Sequence, residues 1–169
     1  VASALLSMDA LSRATAAELR TGLAPLVDGY AGWLAERATE AEALPEHLHG
    51  VAAEVLHNAR RVHQRLVAGL KHVLSDPQAL QCFRFMNEVM RGQRVHSQIS
   101  AKRSSDPSLS FEDAQRQVEA AEREQPSSWR PFQLAFILMQ LPALTDPTAA
   151  VRSGELSRVE LLFFPTGGG

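Results

Sequence analysis

From Val51 to Val73 apolar residues recur at helical spacing, with Val51, Val55, Val62, Leu66, Leu70 and Val73 on one face. A helix of that length with one apolar stripe must bury it against other elements. The same grammar runs through most of the chain. Residues 2–21 place Leu5, Met8, Leu11 and Leu19 at helical spacing, and Gly22 is expected to end that helix. Pro25 is expected to open the next, where Leu26, Tyr30, Trp33 and Leu34 form a stripe that Pro45 breaks. Asp76 and Pro77 read as the cap and first residue of a further helix, with Leu80, Phe83, Met86 (beside Asn87) and Met90 facing inward. Residues 101–110, AKRSSDPSLS, read as a loop. Ser110 with Asp113 then caps a polar helix that runs to about Glu124.

The texture changes at QPSS, residues 125–128. WRPFQLAFILMQL begins a helix at Pro131 that is apolar on nearly every side, as helices buried among other elements are. A connector follows, and Val159–Phe164 then form an apolar run bounded by a turn signal, the pattern of a buried parallel strand. The expected fold class is mainly α. A multi-helix accessory region over residues 1–126 precedes the start of an α/β domain over residues 127–169.

Bulk properties bound the function. One cysteine in 169 residues excludes an internal disulfide framework and fits a reducing, cytoplasmic setting. No apolar run approaches the ~18 residues of a membrane span, so no membrane partner is expected. A start on Val1 and a stop on Gly169 suggest a piece of a longer protein. The net charge of −2 does not mark the whole chain as a nucleic-acid binder, but charge is segregated along it. Residues 1–56 carry −5, residues 57–103 carry +7, residues 104–126 carry −4, and the rest balance. The basic block supplies candidate phosphate contacts at Arg60, Arg61, Arg65, Arg91, Arg94, Lys102 and Arg103. The competing reading is two solvated helix faces neutralised by their acidic neighbours.

The chain ends on PTGGG, Pro165 to Gly169, directly after the strand pattern. Nucleotide phosphates are held by a strand, a glycine-rich loop and a helix N-terminus, where backbone N–H groups converge on the anion. The usual loop is G-x-x-x-x-G-K-[ST]. Pro165, Thr166, Gly167, Gly168 and Gly169 match a relaxed form of it as far as they go, with Phe164 in the first position. The lysine and the Thr that would hold Mg2+ would be the next two residues, so no catalytic residue lies in this chain. Three terminal glycines also make a flexible tail, and that alternative stays open.

WRPFQ, Trp129 to Gln133, supplies context, with Gln133 lying 34 residues before Gly167. Many superfamily 2 helicases carry a similar R-P-Y/F-Q element ahead of this loop, and there the glutamine reads the adenine edge. An amide offers a donor and an acceptor together, which suits the N6/N7 face of adenine. WRPFQLAFILMQLPALTDPT…ELLFFPTGGG resembles the start of the ATPase domain in the large DISARM-type antiphage helicases of bacteria. The resemblance is strong over residues 129–169 and partial over residues 80–98, where CFRFMNEVM carries it, and it is not claimed before residue 75.

The resemblance implies a RecA-like domain, cut after its first helix and strand, within an ATP-driven helicase or translocase. It implies ATP and Mg2+ as cofactors of the parent, none bound to this piece, and no hydrolysis by the piece alone. Arg130, Phe132 and Gln133 would shape the adenine pocket, and Pro165 to Gly169 would offer backbone donors to the phosphates. DNA or another nucleic acid, and other subunits of the defence system, would be partners of the parent.

Other clusters carry less. Glu46-x-x-His49 and Glu54-x-x-His57 are close neighbours, whereas di-iron bundles need such pairs on facing helices; no metal site is expected. His63, His72 and His96 are expected in solvent. Cys82 reads as a small core hydrophobe, and Tyr30 with Trp33 as core or interhelix packing or a base-stacking pair. Three functions remain: a helicase or translocase fragment, a helical nucleic-acid- or partner-binding module with a glycine tail, and a P-loop ATPase of another kind.

Overall fold

The structure, a computed structural model, describes residues 3–149 and residue 152. It is mainly helical, and the described residues contain no strand beyond an isolated antiparallel bridge between Ser7 and Ser128. Among the described residues six α-helices follow in order: α1 Met8–Arg13, α2 Ala16–Glu42, α3 His49–Ser75 (after a 3-10 turn at Glu46–Leu48), α4 Pro77–Ser105, α5 Phe111–Glu124 and α6 Pro131–Thr145. The strand expected over Val159–Phe164 lies outside the described residues, so a truncated RecA-like sheet has no support here. No helix among the described residues is long and apolar enough to cross a membrane.

The chain divides into two compact units. One holds Val1–Leu26 with Val73–Pro131, and the other holds Val27–His72 with Phe132–Gly169. Of the ATPase domain expected over residues 127–169, residues 127–149 and 152 are described, and its expected strand and glycine loop are not.

In the first unit the expected helix over residues 2–21 is corrected. Ser7 caps α1 by accepting from the Ala10 N–H, and α1 stops at Ala14, which is extended at φ −62° and ψ 139°. α2 begins through a capping box. The Glu18 carboxylate accepts from the Thr15 N–H at 2.7 Å, and the Thr15 hydroxyl accepts from the Glu18 N–H at 3.2 Å. Gly22 therefore ends nothing, and Pro25 lies inside α2. Gly22 is needed for a close approach instead. Leu5 N donates to its carbonyl at 2.7 Å, and an added Cβ would sit 2.7 Å from that of Leu5.

α4 starts as expected, with Asp76 Oδ1 accepting from Gln78 N at 2.8 Å and Pro77 at the first position. It continues through Ser105, which shortens the expected loop to residues 106–110. Lys102 and Arg103 complement the C-terminal dipole of that last turn. Phe83, Asn87 and Ile99 are buried along α4. Ser110 caps α5 through Asp113 N at 3.1 Å, and Ala114, Val118 and Glu122 form its buried face. Ile99, Ala114 and Val118 pack with Val95 and Leu109 between α4 and α5.

In the second unit only part of the α3 stripe faces inward. Leu66 and Leu70 are buried, whereas Val51 and Val55 are 63% and 60% exposed. Gly69 allows α3 to approach α6, because a side chain there would collide with the backbone carbonyl of Leu138. Leu134 and Leu138 are the buried residues of α6, and most of its other residues are half-buried. The His72 ring pairs with the Thr145 hydroxyl at 2.9 Å between the same two helices.

Candidate functional site

Residues 126–130, which lead into α6, are tied to the first unit by backbone and side chain together. Met8 N donates to Ser127 O and Trp129 N to Leu6 O, both at 2.9 Å, around the Ser7–Ser128 bridge. The Trp129 ring is buried, and its Nε1–H donates to Asn87 Oδ1 at 2.7 Å. Asn87 is fully buried and donates from Nδ2 to the Phe83 carbonyl at 2.8 Å, so its amide is engaged at both ends. Buried polar groups satisfied in this way cost little and fix one arrangement.

Glu122 holds the same segment from α5. Its two carboxylate oxygens accept from Ser127 N at 2.8 Å and from Ser127 Oγ at 2.9 Å. Arg91 Nε lies 3.6 Å from Glu122 Oε1, and Arg94 Nε donates to Ser127 Oγ at 3.3 Å. Arg91 also faces Asp9 at 3.4 Å, and Asp9 pairs with Arg13 at 2.6 Å. Arg84 closes the end of α1 by donating from Nε to the Ala14 carbonyl at 2.7 Å.

Asn87, Glu122 and Ser127 are absent from the residues expected to matter. The signal was their placement. Asn87 shares the inward face of α4 with Phe83, and Glu122 continues the Ala114–Val118 stripe of α5 at helical spacing. A polar residue on a buried stripe needs a partner.

The expected site residues fall as follows. Arg130 is exposed, whereas Phe132 and Gln133 are half-buried in the first turn of α6. Pro165, Thr166, Gly167, Gly168 and Gly169 lie outside the described residues. The basic block is divided between the two units. Arg60 and Arg61 are exposed and Arg65 is half-buried on α3, in the second unit. Arg91, Arg94, Lys102 and Arg103 lie on α4, in the first. There Lys102 Nζ donates to Gln117 Oε1 at 3.1 Å and Arg103 Nε to Leu109 O at 3.4 Å.

Among the described residues no group of three His, Cys, Asp or Glu side chains could hold a metal. Glu46, His49, Glu54 and His57 are all exposed. Cys82 is exposed rather than in the core, since it lies on the outer face of α4 beside buried Phe83. His63 is not simply solvated: its ring stacks on Tyr30 at 6.1 Å, and Tyr30 stacks on Trp33 at 5.4 Å. Burial raises the Tyr30 phenol above its ordinary range.

The chain is 31% identical over 146 residues to the DISARM protein DrmA of Bacillus paralicheniformis. The match takes in 85% of this chain, which spans about 11% of the length of that relative. This relates the chain to a DISARM protein. A match of that extent reaches well upstream of residue 75, so the similarity is wider than the C-terminal motifs suggest. No protein-family model matches the chain.

Proposed function

We propose that this chain is the helical lead-in and adenine-reading start of an ATP-dependent nucleic-acid helicase or translocase that serves a DISARM-type antiphage system. The observation that carries the reading is the match to a DISARM protein over 85% of the chain. WRPFQ and PTGGG, placed in that order, supply the chemistry.

Gln133 stands in the first turn of α6, where its amide can offer a donor and an acceptor to adenine. Arg130 and Phe132 belong to the same pentapeptide and shape the pocket. Pro165 to Gly169 begin the phosphate loop, and Lys and Thr follow Gly169 in the full protein. ATP with Mg2+ supplies the transferable phosphoryl group, and stabilising its β/γ-phosphates does most of the catalytic work. The helical units contact nucleic acid and the other subunits of the system. The 169 residues alone do not hydrolyse ATP.

Nucleotide binding to the full-length protein tests this. Gln133→Ala is expected to weaken ATP binding and leave GTP binding unchanged. An ATP-over-GTP preference that survives the substitution overturns the adenine-reading role. A reading frame without Gly-Lys-Thr across residues 169–171 overturns the phosphate loop. That result would leave a second reading, a non-catalytic nucleic-acid- or partner-binding helical module, which the exposed Arg60 and Arg61 favour.

A further inference from the structure

We propose that a cleft formed by α1, α4, α5 and the residue after α5's cap is a phosphate site, taking a backbone phosphate of a nucleic-acid strand. The cleft measures about 340 Å3 and is lined by Asp9, Arg13, Arg91, Glu122, Arg123 and Pro126. Three guanidinium groups from three helices thus face two carboxylates. The carboxylates offset two of them, since Asp9 pairs with Arg13 and Arg91 and Glu122 Oε1 lies 3.6 Å from Arg91 Nε, and one positive charge remains. Glu122 is turned inward, with its side chain 6% exposed and both oxygens accepting from Ser127. Asp9 alone faces both Arg13 and Arg91. Arg123 is exposed and pairs with no carboxylate among the described residues, so it carries the uncompensated charge of the cleft.

A guanidinium is the side chain best matched to a phosphate, because its planar donors meet two oxygens at once. The cleft is open: the Arg13 side chain is 72% exposed and that of Arg91 is 38% exposed. Small-molecule pockets bury most of their ligand, whereas a strand backbone touches a surface and leaves its other groups in water. Only Arg91 belongs to the basic block of the sequence. Arg13 and Arg123 come from acidic stretches, so charge runs did not reveal the site. The inference rests on the nucleic-acid part of the proposed function and gives it a location.

The test is fluorescence anisotropy of a labelled oligothymidylate with the 169-residue chain across a NaCl series. Arg13→Gln with Arg123→Gln is expected to weaken binding about fivefold or more at low salt. It should also flatten the log–log salt slope by about 0.7, the share of one single-strand phosphate. Arg123→Lys should recover part of the loss. Arg116→Gln, the loss of one positive charge elsewhere on α5, should cause none, and thermal melts establish that each variant folds. Loss on Arg60→Gln with Arg61→Gln, and none on the cleft variants, overturns the cleft but leaves nucleic-acid binding standing. A cleft whose NMR shifts respond to inorganic phosphate while oligonucleotide binding ignores the variants overturns the strand assignment. No binding by the unmodified chain overturns both.

Discussion

Trp129 Nε1 donates to Asn87 Oδ1 at 2.7 Å across 42 residues of sequence, and both residues are buried. This bond joins the segment ahead of α6 to the middle of α4. It makes Trp129, the first letter of WRPFQ, a structural residue of the first unit. Its neighbours in the motif carry the proposed nucleotide chemistry.

Replacing Asn87 by Ala leaves the indole N–H buried without an acceptor. The expected cost is about 1–3 kcal/mol. Trp129→Phe removes the donor and leaves the Asn87 oxygen unpaired, with a loss of similar size. Urea denaturation of both singles and the double variant checks the link. The double should cost less than the sum of the singles, because the two act through one bond. Strict additivity would show that the bond carries no coupling.

Glu122 should respond by degree. Glu122→Gln keeps an acceptor for Ser127 N, whereas Glu122→Leu leaves Ser127 N and Oγ without either oxygen. The leucine variant is expected to lose about 2 kcal/mol or more, and the glutamine variant clearly less. Equal melting temperatures for the two would argue against the hydrogen bonds as the reason for the carboxylate.

Glycines offer a contrast within single helices. Gly69→Ala should destabilise, since its methyl would meet the Leu138 carbonyl, and that backbone cannot easily move. Gly29→Ala and Gly50→Ala meet open space and lie in helices, so each should stabilise by about 0.5–1 kcal/mol. Thermal melts of the three variants check both signs at once.

Acid should weaken the capped turns first. The Ser110 hydroxyl, then Arg116, holds the Asp113 carboxyl below its ordinary range, and Thr15 does the same for Glu18. Asp106 and Asp146 are lowered by Ser108 and Thr148. A carboxylate with a depressed folded value stabilises above its unfolded value and loses that contribution as pH falls through the folded one. Melting temperature should therefore fall below about pH 4. The fall should be smaller in Ser110→Ala, which has already lost the Asp113 bond. Parallel pH profiles for the two proteins would count against this cap.

Much of the local structure was legible in the chain, because its determinants are local. Asp76 with Pro77, Ser110 with Asp113, and Pro131 each announce a helix start through a bond or a fixed torsion within three residues. The same kind of signal was present but unread at Thr15 and Glu18. Their capping box moved a helix boundary away from Gly22. Sequence periodicity identified α3 as one long helix yet misjudged its stripe. Spacing shows which residues share a face but not how far along the helix a partner extends, and Val51 and Val55 are exposed for that reason.

The sequence by itself determined a helical chain, several of its caps, its segregated charge and its likeness to a DISARM protein. Only the tertiary structure decided which glycine permits a close approach, which Asn and Glu are buried, and that Arg13, Arg91 and Arg123 share one cleft. The physical reason is range. Helix periods and caps act within a turn, whereas the bonds of Trp129 to Asn87 and of Met8 to Ser127 join residues 42 and 119 positions apart. No local pattern in the amino-acid order encodes them.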